Sequence, residues 1–139
     1  MIGFKSFAAR MCAVLSLLAV VSCASGGSSL GGSWRLAGWT LSSLDPIPFQ
    51  ITARFEDGTI SGSSGVNTYS GQYKSGPANS FAVRDISSTE MAGPEAAMRA
   101  EAAYTELLSQ ARAYNETGGA LILYDKSGNE SLRFEATGE

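Results

Sequence analysis

The chain has 139 residues, with 10 Lys and Arg against 13 Asp and Glu, no His, and a net charge of −3 at pH 7. Its length bounds it to a single small domain with a core of its own. The acidity speaks against nucleic acid and against electrostatic binding to anionic lipid. With no His and with Cys12 and Cys23 as the two cysteines, Cys/His metal sites and His-dependent catalytic triads are excluded, and no cofactor is expected.

The N-terminus reads as a leader over residues 1–22. Lys5 and Arg10 precede an apolar run from Met11 to Val21, and Ser22-Cys23-Ala24 follow. The run is shorter than the roughly 20 apolar residues that a spanning helix needs, and the order of basic start, apolar core and small residues fits a secretory signal. Placing Cys23 directly after that core resembles a bacterial lipoprotein signal, in which cleavage leaves the cysteine as a lipid-modified N-terminus. The expected address is then the cell envelope, with the membrane held through lipid on Cys23. Ala24 is not the aspartate of an inner-membrane retention signal, so an outer membrane facing the periplasm is favoured. Ordinary secretion is the alternative, since Ser22-Cys23-Ala24 also fits a small-x-small cleavage site that would remove Cys23. Losing Lys5 and Arg10 takes the net charge from −3 to −5.

Residues 23–32 are rich in Gly and Ser and read as a flexible tether; the domain is expected over 33–136. A first strand is predicted over Trp34–Leu41, with Trp34, Leu36 and Gly38 on one face. Ser42–Pro48 is a loop. Phe49, Ile51, Ala53 and Phe55 alternate with polar residues in a half-buried strand, Asp57-Gly58 signals a tight hairpin turn, and Thr59–Gly62 returns antiparallel. Ser61–Gly65 reads as a turn or bulge needing positive φ at Gly62 or Gly65. Thr68–Lys74 resumes strand character. Another strand places Phe81, Val83 and Asp85 on one face and Ala82, Arg84 and Ile86 on the other.

A helix is predicted from Pro94, where proline costs no hydrogen bond and Glu95 suits the positive end of the helix dipole. Ala97, Ala100, Tyr104, Leu107, Leu108 and Ala111 form its apolar stripe. Strands at Ala113–Glu116, Ala120–Asp125 and Ser131–Glu135 close the chain. The fold class is α+β: a mostly antiparallel curled sheet or partial β-barrel packed with one helix.

Chemistry-bearing residues are sparse. Asn67 suits a turn, since asparagine tolerates left-handed backbone, or could present a ligand-binding amide. Tyr69 and Tyr73, four apart, face one side of their strand and either pack under the sheet or stack on a ligand. Trp34 and Trp39, five apart, face opposite sides of an uninterrupted strand, which makes Trp39 the surface-contact candidate. The carboxylates Asp45, Asp57, Asp85, Glu90 and Asp125 are scattered, whereas acid–base catalysis needs two converging on one bond. No catalytic residues are assigned, and the protein is not expected to be an enzyme.

The ordered pattern from Ser33 to Glu135 resembles the META-domain family of heat-inducible, HslJ-like envelope lipoproteins. The family's Trp-x-Leu matches Trp34-Arg35-Leu36. Its central motif matches Phe55, Gly58, Ile60, Gly62, Gly65, Asn67, Tyr69, Gly71 and Tyr73, and its Thr-x-Met-Ala-Cys matches Thr89, Met91 and Ala92. Glu101, Tyr104 and Leu108, then Leu121–Leu123 and Leu132–Phe134, follow in the family's order. Two family cysteines are missing: Val66 and Gly93 occupy their positions. If those cysteines pair in relatives, a bridge closing about 27 residues, worth roughly 3.5 kcal/mol by loop entropy, is lost here.

The resemblance implies a non-enzymatic envelope lipoprotein that binds an envelope protein partner or supports envelope integrity under stress. The alternative is a carrier of a small apolar ligand or lipid, similar to secretin-pilot lipoproteins, with a cavity lined around Phe55, Tyr69, Phe81 and Leu123.

Overall fold

The computed structural model describes residues 30–40 and 43–138. The leader, Cys23 and most of the tether lie outside the described residues. Eight strands run in chain order around a closed, all-antiparallel barrel: β1 (Gly32–Trp39), β2 (Thr52–Glu56), β3 (Thr59–Ser63), β4 (Thr68–Gly76), β5 (Ser80–Ser88), β6 (Ala113–Thr117), β7 (Ala120–Tyr124) and β8 (Glu130–Ala136). One helix, α1 (Glu95–Gln110), connects β5 to β6. The sheet is fully closed rather than curled or partial, because β1 pairs with β8 from Trp34↔Ala136 to Trp39↔Leu132. Closure removes both exposed sheet edges, which no local sequence signal announces.

The hairpins follow from their turn residues. Asp57 and Gly58 both take positive φ, 49° and 79°, as a two-residue turn between twisted strands requires. Gly118 and Gly119 do the same between β6 and β7. Gly65 adopts φ 116°. Gly62 is required for a different reason: a Cβ there would stand 2.2 Å from the Thr52 carbonyl oxygen, so the backbones of β2 and β3 approach too closely for any side chain.

Two bulges reset the inside–outside alternation. In β1 the pairing with β8 slips between Leu36 and Gly38, so Trp39 stands opposite buried Leu132. In β5 the pairing with β4 slips between Ser70↔Ser87 and Gln72↔Arg84, and Asp85 in that interval takes φ 54°. An extra residue moves every later side chain to the other face. Trp39 and Ile86 therefore pack on the core, and Asp85 is exposed rather than sharing the face of Phe81 and Val83.

The barrel is sheared where the helix enters. β5 and β6 pair only at Ser80↔Ala113, next to a Phe81 N–H to Arg112 carbonyl bond. Beyond that point α1 packs against β5 in place of a strand. Its buried residues Ala100, Tyr104, Leu107 and Leu108, with Ala111 after it, are those of the predicted stripe; Ala97 is only half-buried. The inner side chains of the barrel and this stripe form one core.

The structured domain begins before the predicted boundary. Leu30 is 1% exposed, and its carbonyl accepts a bond from Tyr73 Oη at 2.5 Å. Leu30, Gly31 and Gly32 are thus part of the packed domain and not of the tether. Phe49 also departs from the predicted strand. It closes a short 3-10 turn, Ile47–Phe49, and Gln50 at φ 50° separates that turn from β2.

Candidate functional site

Antiparallel pairing gives the barrel two dissimilar ends. The chain enters at one, beside the Asp57-Gly58 turn. At the other lie the loop before β2, the loop between β3 and β4, and the irregular segment from Thr89 to Pro94. Three of the four residues singled out from sequence are at or near this second mouth.

Asn67 is the centre of it. The residue is 2% exposed. Its side-chain carbonyl accepts from the Met91 N–H at 2.7 Å and from Thr89 Oγ1 at 2.8 Å. Its amide nitrogen donates to Glu101 Oε1 at 2.8 Å and to the Met91 carbonyl at 3.2 Å. Its backbone N–H donates to Glu101 Oε2 at 2.9 Å, and its backbone carbonyl accepts from the Ser64 N–H at 2.8 Å. Both acceptor sites and both donor hydrogens of the amide are occupied. Asn67 is therefore a clamp joining loop, segment and helix, and has no free group for a ligand in this conformation.

Glu101 completes the cluster from α1. Ser64 Oγ lies 2.9 Å from Oε2, in addition to the Asn67 bonds. Burial pushes the Glu101 carboxyl pKa up, but the bonds from Asn67, Ser64 and the Val66 backbone outweigh it and hold the pKa below the usual glutamate value. Glu101 was visible in sequence only as a family match. Its partnership with Asn67 spans 34 residues and has no local signature.

Tyr69 and Tyr73 pack inward. Tyr69 Oη donates to the Thr52 carbonyl at 2.8 Å, which leaves Tyr104 Oη as the donor in the 2.5 Å bond between the two phenols. Their rings meet edge to face at 5.4 Å. Burial pushes all three phenol pKa values up, Tyr69, Tyr73 and Tyr104 alike, so they act at neutral pH as neutral donors. Tyr73 contacts Phe55 edge to face at 5.0 Å. Trp39 packs on the core through its ring, and its Nε1–H donates to the Leu44 carbonyl at 2.7 Å, fastening the loop before β2. The surface role expected for Trp39 is replaced by a structural one, because the β1 bulge turned it inward.

The four residues around which a ligand cavity was expected are packed. Phe55, Tyr69, Phe81 and Leu123 are between 0% and 5% exposed, and Phe55 and Phe81 touch with ring centroids 6.1 Å apart. A barrel of eight strands has an interior that side chains can just fill, and here the helix adds Tyr104, Leu107 and Leu108. Concavities lined by described residues occur on the outside. One of about 330 Å³ lies across β3, β4 and β5, walled by Thr59, Gln72, Lys74 and Arg84. Among the described residues, the large apolar side chains left exposed are Ile47, Met91 and Met98. Among the described residues, no cluster of three or more acidic or thiol ligands could hold a metal.

The family model for the META domain matches residues 28–138. Two solved structures share the fold. A protein from Burkholderia xenovorans, solved by NMR, is 21% identical with a TM-score of 0.65, over 80% of this chain and 85% of its own. A duf4847 family protein from Bacteroides vulgatus ATCC 8482, solved by crystallography, is 13% identical with a TM-score of 0.59, over 81% of this chain and 96% of its own. No curated protein matches the chain significantly.

Proposed function

The chain belongs to the META-domain family, and on that premise we propose that it is a non-enzymatic lipoprotein of the bacterial envelope that acts by presenting its outer surface to an envelope protein. The observation that carries this reading is the division of labour in the barrel. The inner positions and the helix stripe form one packed core, which leaves the outside and the rim to meet another molecule. Exposed Ile47, Met91 and Met98 supply apolar contact there, and methionine adapts readily to a partner surface. The leader and Cys23 support a lipid anchor, in the outer membrane on its periplasmic side. The same packing favours this reading over a carrier that encloses an acyl chain.

Cys23→Ser tests the address. Release of the protein from the membrane fraction, with the domain still folded, is expected; retention in the membrane would refute anchoring through Cys23. Cross-linking and capture of the anchored form from membranes tests the role. Recovery of no partner, together with no envelope defect on deletion, would refute a partner-binding or envelope-supporting function.

A further inference from the structure

The segment Thr89–Pro94 has no regular structure and is exposed along its whole length. Its attachments are few. The Thr89 N–H donates to the Thr68 carbonyl at 3.1 Å, and Thr89 Oγ1 accepts from the Thr68 N–H at 3.3 Å. Asn67 makes the three side-chain bonds to Thr89 and Met91 given above. At the far end, Gly93 lies directly on Val66: a Cβ built on Gly93 would stand 2.7 Å from Val66 Cγ2 and 3.4 Å from Val66 Cβ. The second of these is close to the Cβ–Cβ distance of a disulfide. The two positions at which the family pattern carries cysteines are therefore in contact in this fold, and here they are joined only by van der Waals packing.

The other side of Asn67 is held independently. Its backbone and amide bond Glu101, and Ser64 reinforces the same carboxylate. The loop between β3 and β4 thus stays fixed to α1 whether or not the segment is in place. Lifting the segment breaks a handful of neutral hydrogen bonds, each of small net worth once water replaces the partner, and disturbs no strand pairing beyond the last residues of β5. Local openings of this size occur well below the free energy of global unfolding.

We infer that residues 89–94 form a latch over the barrel mouth that lifts as a local unit while the barrel and α1 remain folded, uncovering Val66 and the side-chain amide of Asn67. Because Val66 and Gly93 touch without a covalent bond, the latch opens and closes without any redox step.

Hydrogen exchange on the full chain, with Cys12 and Cys23 changed to Ser, tests this. The Met91 amide is expected to exchange at least about tenfold faster than the slowest amides of β7 and β8, at a rate insensitive to low denaturant. Adding Val66→Cys with Gly93→Cys and oxidising the pair is expected to slow Met91 by about tenfold or more, with reduction restoring the original rate; β7 and β8 slow only as far as the bridge raises global stability, which by itself leaves a locally opening amide untouched. Exchange of Met91 in step with β7 and β8 in the parent chain would overturn the latch. So would failure of the two cysteines to bridge, or a bridge that leaves the Met91 rate unaltered.

Discussion

The two ends of the barrel are held by different chemistry. Where the chain enters, Phe55, Tyr73, Phe81 and Tyr114 meet ring to ring at 5.0–6.4 Å, and Tyr73 reaches out to the Leu30 carbonyl. At the mouth, Ser64, Asn67, Thr89 and Glu101 join loop, latch and helix through hydrogen bonds. The aromatic end gains from area removed from water, and its rings carry no group that titrates in acid. The polar end is directional: it fixes one arrangement of its parts, and it depends on a carboxylate staying charged.

The largest expected effect lies at the aromatic end. Phe55→Ala should cost about 3–5 kcal/mol in chemical denaturation, through lost burial and the void left between Tyr73 and Phe81. A cost below about 1 kcal/mol would show that the cluster is loosely packed. At the mouth, Asn67→Ala should cost less, about 2–3 kcal/mol, since it strands the Met91 N–H and part of the Glu101 carboxylate rather than emptying the core. If Asn67→Ala proves the more damaging, the mouth and not the aromatic cluster is the keystone.

The smallest effect is also the most selective. Because the folded state lowers the Glu101 pKa, its contribution is fully present above the ordinary glutamate value near 4.5 and is lost as pH falls through the lower folded value. The stability gap between the parent and Glu101→Gln should therefore narrow as pH drops below about 4.5, while the gap between the parent and Phe55→Ala stays constant. Parallel pH curves for parent and Glu101→Gln would remove Glu101 from the account.

Local features were legible in the sequence, and features that depend on distant strands were not. The turn at Asp57-Gly58, the alternation through Phe55 and the stripe from Ala100 to Ala111 are encoded within a few residues, and each stands where the pattern puts it. The bulges at Leu36/Gly38 and Asp85 are set by the register of neighbouring strands, so counting by twos put Trp39 and Ile86 on the wrong face. Barrel closure needs β1 and β8 to meet across almost the whole domain. The clamp at Asn67 was readable as a turn residue, but its partner Glu101 lies on a helix that folds back over the loop. Leu30 looked like linker because its neighbours are glycine and serine, and only the fold shows the space it fills.

Leu30 also determines how the domain responds to force. A pull on its N-terminus arrives at the start of β1, a strand hydrogen-bonded to β2 on one side and β8 on the other. Drawn along the strand axis, both ladders are loaded in shear, so many bonds must yield at once and none can be peeled singly. Tension reaches the Leu30–Tyr73 bond before it reaches either ladder, so that bond is the first to give when the domain is pulled from its N-terminal side.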